Sequence, residues 1–170
     1  MKYILVLFIF LSSSAAAQKR MSNTFISGTF QVDAPEHYKP VVSGRLSGGA
    51  NLKNFALVGI GVGIAKIKEL PKLYIPVFGT ITIADFSKHI SPLVVAEPGY
   101  GIYNEKVRLG NRTITREGGF TFFGGGGVAV AATSKANLSF SIGYSVYTFN
   151  TAGISSTVKG VGFRFTVTAL

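Results

Sequence analysis

The chain has 170 residues, of which 21 are glycine and only 14% are charged, whereas roughly a quarter of the residues in soluble domains are charged. It has no cysteine, which excludes disulfide frameworks, thiolate metal sites, cysteine catalysis and the cysteine-linked anchor of a lipoprotein. Lysine and arginine number 17 against 7 acidic residues, giving a formal net charge of +10.

The first 17 residues predict a signal peptide for secretion. Lys2 gives a positive start, Tyr3 to Leu11 form an apolar core, and small residues follow, with Ala15 and Ala17 placed as at a cleavage site. The apolar run is about half as long as the ~20 residues of a membrane-spanning helix. We therefore expect export and a mature chain, residues 18–170, that forms a single domain.

The pattern of apolar and polar residues in the mature chain predicts eight β-strands. Short segments of alternating apolar and polar residues are separated by Asn, Lys, Ser, Gly and Pro, and stretches with helical periodicity are missing. Most segments reach the ~9–11 residues that a tilted strand needs to cross a bilayer. The predicted strands are residues 22–33, 40–50, 54–67, 73–86, 91–103, 118–132, 137–149 and 158–169.

The two faces of these strands differ in a characteristic way. In the predicted strand 137–149, Leu, Phe, Ile, Tyr and Val alternate with Ser and Gly, and strand 54–67 sets Val and Ile against Gly59, Gly61 and Gly63. A soluble sandwich would carry charged residues on its outward face. A small, nearly uncharged face instead suits the narrow lumen of a transmembrane β-barrel whose apolar residues face lipid.

The connections between the predicted strands support the same architecture. Those at residues 51–53, 87–90 and 134–136 are short, those at 34–39, 105–117 and 151–157 are longer, and the one at 68–72 is intermediate. Short periplasmic turns alternate with longer outer loops in bacterial outer-membrane barrels. We therefore predict an all-β fold: one eight-stranded, antiparallel, up-and-down transmembrane barrel with a filled lumen and both termini on the periplasmic side.

Four segments carry a resemblance to a known family: Leu70 to Phe86, Glu97 to Gly101, Gly124 to Gly127 and Gly162 to Phe165. Over residues 22–170 the chain resembles the small outer-membrane β-barrels of the OmpA/OmpX type, and most of all the "outer membrane protein beta-barrel" group common in Bacteroidota. The resemblance implies a place in the outer membrane of a Gram-negative bacterium and insertion by the outer-membrane assembly machinery. Many such barrels end in an outward aromatic residue, whereas the last three residues here are Thr, Ala and Leu.

Charged residues at three inward positions are the first candidates for a functional site. The alternation directs Arg45, Glu97 and Arg164 into the lumen, which in an eight-stranded barrel is only wide enough for side chains to fill. Because isolated buried charges are costly, the three must form ion pairs. We interpret them as a salt-bridge network that plugs the lumen rather than as the gate of a narrow ion path, and we expect no open pore.

Much of the positive charge falls on or near the predicted outer loops, where the phosphates of lipopolysaccharide would lie. One hypothesis is contact with outer-membrane lipid and lipopolysaccharide, and the other is a basic rim that anchors the barrel without specificity. Nucleic acid is disfavoured because the charges lie at strand ends rather than on one continuous patch. The residues concerned are Lys66, Lys68, Lys72, Lys106, Arg108, Arg112 and Arg116.

Catalysis and metal binding find little support in the sequence. His37 and His89 are the only histidines, and the predicted topology puts them on opposite sides of the membrane, so we expect neither a metal nor another cofactor. In a lipid A-modifying enzyme, Asp33, Glu36 and His37 of the first outer loop would serve as acid, orienter and base. No motif marks a nucleophile beside them.

We therefore expect a monomeric, non-enzymatic barrel protein of the outer membrane that has a structural role or contacts partners through its outer loops. The connection at 105–117 is the best candidate for such contacts, although its composition favours a solvated hairpin extension. Two alternatives remain, a lipid A-modifying enzyme and a soluble periplasmic barrel that binds an apolar ligand. The second would need Ile, Phe and Val to face the interior and Gly and Ser the exterior.

Overall fold

The computed structural model describes residues 23–36, 39–68, 70, 72–109, 112–151 and 154–170, so the predicted signal peptide lies outside the described residues. Every regular element in this part of the chain is a β-strand, and no helix within it has the length and hydropathy to cross a membrane. The strands are β1 (Thr24–Pro35), β2 (Val41–Leu52), β3 (Ala56–Lys66), β4 (Ile75–Ala84), β5 (Ile90–Ile102), β6 (Asn104–Leu109), β7 (Arg112–Thr133), β8 (Ala136–Thr151) and β9 (Ile154–Ala169).

Eight of these nine strands form a closed antiparallel barrel. Strands β1 to β5 pair in sequence, β7 pairs with β8 and β8 with β9, and β1 pairs with β9. The ring is completed where β5 pairs directly with β7, from Ile90↔Val130 to Tyr100↔Phe120, so that β6 lies outside it. The structure therefore confirms the predicted eight-stranded, up-and-down barrel.

At the barrel end opposite the termini, two of the connections are paired hairpins and not irregular loops. β6 pairs with the first part of β7, from Asn104↔Glu117 to Leu109↔Arg112, which confirms the interpretation of residues 105–117 as a hairpin extension. The long connection predicted at 151–157 is wrong, because β8 and β9 remain paired up to Thr151↔Ile154. Its Ser and Thr residues resemble a turn in sequence, but they also suit a strand that is exposed to water on both faces.

The barrel wall is apolar outside and polar inside. Ile60 is 75% exposed, Phe163 55% and Phe30 54%, although residues of these types are usually buried. Inward positions such as Ser43 and Ser145 are buried instead. The alternative of a soluble barrel with an apolar interior is therefore wrong, because it required the opposite orientation. An apolar exterior of this extent is stabilised by lipid hydrocarbon.

Aromatic side chains pack together in the lumen towards the end opposite the termini. We call this set, Tyr74, Tyr103, Tyr147 and Phe149, the aromatic layer. Its rings meet edge to face, with centroid distances of 5.7 Å for Tyr74–Tyr147, 5.1 Å for Tyr74–Phe149 and 6.0 Å for Tyr103–Phe149. Tyr103 itself lies between β5 and β6, outside the strands of the wall. Burial and the neighbouring Glu105 raise the pKa of Tyr103 to about 12, so its hydroxyl stays protonated and donates a hydrogen bond to that carboxylate.

The absence of a side chain at Gly101 makes room for the ring of Tyr74. A Cβ added at Gly101 would overlap this ring, which cannot withdraw because Tyr147 and Phe149 pack against it. We expect Gly101→Ala to lower the free energy of unfolding by about 2 kcal/mol through overpacking, measured by urea unfolding in detergent micelles.

Gly44→Ala is the matched control for this substitution. Gly44 lies on β2, and nothing lies within 4 Å of a Cβ added there. Its effect should stay within about 0.5 kcal/mol. If the two substitutions change the free energy of unfolding equally, the aromatic layer can rearrange around the added methyl group without loss of stability.

Candidate functional site

An acidic residue lies between two arginines inside the barrel. Residues on the inner face of β2, β5 and β9 project towards one another because the lumen of an eight-stranded barrel is narrow. The Oε2 atom of Glu97 lies 2.7 Å from Nη1 of Arg45 and 2.6 Å from Nη2 of Arg164. The hydroxyl of Thr80 donates to Oε1 of Glu97 at 3.3 Å. The structure thus brings together the three charged residues that the sequence directs into the lumen.

Further hydrogen bonds link the two arginines on the other side of the lumen. Nε of Arg164 donates to Oε1 of Gln31 at 2.6 Å, and Nε2 of Gln31 donates to Oδ1 of Asp33 at 2.5 Å. The hydroxyl of Tyr147 donates to Oδ2 of Asp33 at 2.6 Å and accepts from Nη2 of Arg45 at 3.3 Å. Together with Glu97 these contacts form a closed circuit. We call the six residues, Gln31, Asp33, Arg45, Glu97, Tyr147 and Arg164, the lumenal ring.

The lumenal ring is electrically balanced. Two guanidinium groups face two carboxylates, those of Asp33 and Glu97, so the formal charges cancel. The charged side chains at the Glu97 junction are at most 6% exposed, and burial at this level is tolerated only when charges are paired and hydrogen-bonded. A cation–π contact also stabilises one of the buried cations, because the guanidinium carbon of Arg164 lies 3.4 Å from the ring centroid of Phe123.

Three of the six residues of the lumenal ring are not among the lumenal residues predicted from the sequence. Asp33 was predicted in the first outer loop, and this is wrong: β1 continues to Pro35, and the residue is 1% exposed inside the barrel. Gln31 and Tyr147 were not singled out at all. The available signal was the alternation itself, because Gln31 and Asp33 share the inward face of β1 with Ser27. Both residues lie within the predicted strand 22–33, so the alternation alone would have found them.

Of the residues considered for catalysis, Asp33 lies inside the lumen and not at the rim. The carboxylate of Asp33 accepts hydrogen bonds from Gln31, Ser145 and Tyr147 inside the lumen. Glu36 is exposed beyond the end of β1, and His37 lies outside the described residues. The described part of the chain holds no group of three or more potential metal ligands.

The basic residues predicted to contact lipopolysaccharide belong to the end of the barrel opposite the termini, and several of them bind groups of the protein itself. The ammonium group of Lys66 donates to the carbonyl of Leu70 at 3.1 Å, and that of Lys72 donates to the carbonyl of Asn104 at 3.2 Å. Arg116 lies 3.8 Å from Glu105. Lys68 and Lys106 are exposed, and the backbones of Arg108 and Arg112 belong to the β6–β7 hairpin.

A small cavity lies in the lumen on the terminal side of the lumenal ring. Its volume is about 30 Å³, enough for about two water molecules. Glu97 and Arg164 face it from the lumenal ring. Hydroxyl groups such as that of Ser27 and apolar side chains such as Phe25 and Leu93 line the rest. The interior is therefore arranged in layers: mixed polar and apolar side chains towards the termini, then the lumenal ring, then the aromatic layer.

An antiparallel barrel of eight strands with an apolar exterior and a filled, polar lumen defines the class of small transmembrane β-barrels. No protein-family model matches the chain, and no curated protein shows a significant match. Solved structures do match. The crystal structure of Neisserial surface protein A (NspA) aligns with a TM-score of 0.57 and 14% identity, covering 86% of this chain and 94% of that chain.

Two other solved barrels align less closely. The N-terminal β-barrel domain of Pseudomonas aeruginosa OprF gives a TM-score of 0.46 and 10% identity, covering 84% of this chain and 96% of that chain. Outer membrane protein W of E. coli gives 0.45 and 12%, covering 86% and 96%. Of these three structures, NspA alone aligns with a TM-score above 0.5. At 14% identity, this similarity is evidence for the fold alone. The chain has the fold of the small outer-membrane barrels of the OmpA/OmpX type.

Proposed function

We propose that this protein is a non-enzymatic integral protein of the outer membrane, without an open pore, that has a structural or surface-interaction role. The lumenal ring carries this proposal. It fills the section of the lumen through which a channel would have to pass, and its formal charges sum to zero, so the lumen carries no net charge that would attract ions of one sign. The plug interpretation of Arg45, Glu97 and Arg164 therefore fits the geometry better than a gate does.

The geometry also disfavours the lipid A-modifying enzyme. A general acid must come within hydrogen-bond reach of its substrate. The carboxylate of Asp33 instead has three hydrogen-bond donors inside the lumen and is 1% exposed. A substrate at the rim could reach this group only if the lumenal ring came apart.

The location rests on two independent features. The apolar wall supports placement in a bilayer, and the predicted signal peptide supports export across the inner membrane of a Gram-negative cell. With the termini and short turns on the periplasmic side, the β6–β7 hairpin and the exposed lysines face outwards. There Lys66, Lys68 and Lys106 would lie near the phosphates of lipopolysaccharide, which supports that contact as the surface role.

Membrane fractionation combined with bilayer conductance tests the proposal. We expect the protein in the outer-membrane fraction, with a gel mobility in detergent that shifts on boiling, and no steady conductance after reconstitution in planar bilayers. A known porin reconstituted in parallel is the positive control. A soluble protein with one mobility would refute the membrane location, and a steady ion current would refute the plug.

A further inference from the structure

The lipid-facing wall carries an open apolar groove of about 530 Å³ where β1, β9, β8 and β7 lie side by side. Aromatic residues form one row across it, with Phe30 paired to Phe165 and Phe165 paired to Phe140. In the adjacent row Ile142 is paired to Gly126, and this glycine leaves the wall on β7 without a side chain. The groove is therefore a depression between rings rather than an even barrel surface.

A positive charge lies above this groove on the same face of the wall. Lys159 is exposed on β9, four positions from Phe163 towards the end opposite the termini. At about 3.4 Å per residue it lies about 14 Å from the groove along the strand. None of the ion pairs found among the described residues involves Lys159. Tyr144, 41% exposed on β8, lies at the level between them.

We propose that this groove holds an acyl chain of lipid A and that a phosphate of the same molecule lies against Lys159. The inference rests on the proposed function, which places this end of the barrel in the outer leaflet. An acyl chain can fill a depression lined by phenyl rings, and an ammonium group at the interface attracts a phosphate. A second copy of the chain fits poorly, because a two-fold contact would set one concave surface against another.

Tryptophan fluorescence tests this site directly, since the natural chain has no tryptophan. Phe165→Trp places one reporter in the groove, and Ile81→Trp on β4 is the matched control on an outward, 45% exposed position away from the groove. Both variants are reconstituted in vesicles of brominated phosphatidylcholine, which quenches tryptophan, and unbrominated lipid A is then added. The fluorescence of the control variant should recover in proportion to the lipid A fraction of the vesicles. The groove reporter should recover as if lipid A were enriched about fivefold, the effect of one lysine at an anionic surface.

Second substitutions in the Phe165→Trp background separate the site from general charge effects. Lys159→Gln should abolish the enrichment, and so should Gly126→Val, which fills the groove. Lys135→Gln, an equal change of charge in an exposed turn near the termini, should leave it intact. Enrichment that survives both Lys159→Gln and Gly126→Val would overturn the proposal.

The remaining outcomes distinguish this proposal from the proposed function. Proportional recovery at both reporters would overturn the lipid site while the quenching itself still supported a barrel embedded in the bilayer. Absence of quenching at both reporters would refute the membrane placement. Weak quenching at Phe165→Trp alone, restored on dilution of the protein in lipid, would show that a second copy occupies the groove and would also overturn the site.

Discussion

Replacement of Glu97 by glutamine is expected to lower the free energy of unfolding by about 3–5 kcal/mol, the loss typical of breaking a buried ion pair. Glu97 is the common partner of Arg45 and Arg164. Without its charge, two buried guanidinium groups remain near each other with the carboxylate of Asp33 as the single compensating charge. Urea unfolding in detergent micelles, followed by the gel mobility of unboiled samples, measures the change.

Two comparisons make this prediction specific to the lumenal ring. Glu117→Gln removes the same charge from an exposed position and should change the free energy of unfolding by no more than about 0.5 kcal/mol. Adding Arg45→Met to Glu97→Gln restores the balance of one cation and one anion, so the double variant should be more stable than the sum of the single effects predicts. If Glu97→Gln costs no more than Glu117→Gln, water solvates the lumenal charges and the plug interpretation fails.

Tyr147→Phe should cost about 3 kcal/mol, near the upper end for a buried group that loses its hydrogen-bond partner, because both partners here are charged. The hydroxyl of Tyr147 donates to Asp33 and accepts from Arg45, and it is the one direct link between them in the lumenal ring. The phenyl ring itself stays in place against Tyr74, so the aromatic layer is preserved. Thermal or urea unfolding of the reconstituted barrel measures the loss.

Tyr144→Phe is the matched control on the same strand. Tyr144 points outwards and is 41% exposed, whereas Tyr147 is 1% exposed in the lumen. The same loss of a hydroxyl group should therefore change the free energy of unfolding by about 0.5 kcal/mol or less. Similar effects at the two positions would mean that the contacts of the inward hydroxyl contribute no stability to the barrel.

The periodicity of the sequence was sufficient to predict the class of fold. Alternation with a period of two shows which residues share a face of a strand, and an apolar face opposite a small, uncharged one indicates lipid outside and a narrow lumen inside. Eight such segments specify the closed barrel. The inward direction of Arg45, Glu97 and Arg164 follows from the same rule, because each alternates with apolar residues that face outwards.

The composition of the lumenal ring could not be predicted in the same way. Alternation gives the face of a residue but not its height in the barrel, which depends on strand register and tilt. Gln31 meets Arg164 because Gln31 is paired to it in the β1–β9 ladder, 133 positions away along the chain. Ala34 and Pro35 also resemble a turn in sequence, so the predicted strand ends at Asp33, whereas β1 continues to Pro35.

The wide separation of the lumenal ring partners along the chain has a consequence for assembly in the membrane. Its hydrogen bonds join residues that are up to 133 positions apart, and they involve both the first strand and the last. An intermediate that has inserted the β8–β9 hairpin without β1 and β5 therefore holds Arg164 without an acidic partner. An uncompensated charge at that depth costs several kcal/mol in a bilayer. Insertion should accordingly be all-or-none, since a partly inserted chain is driven back towards the aqueous phase until the first and last strands meet.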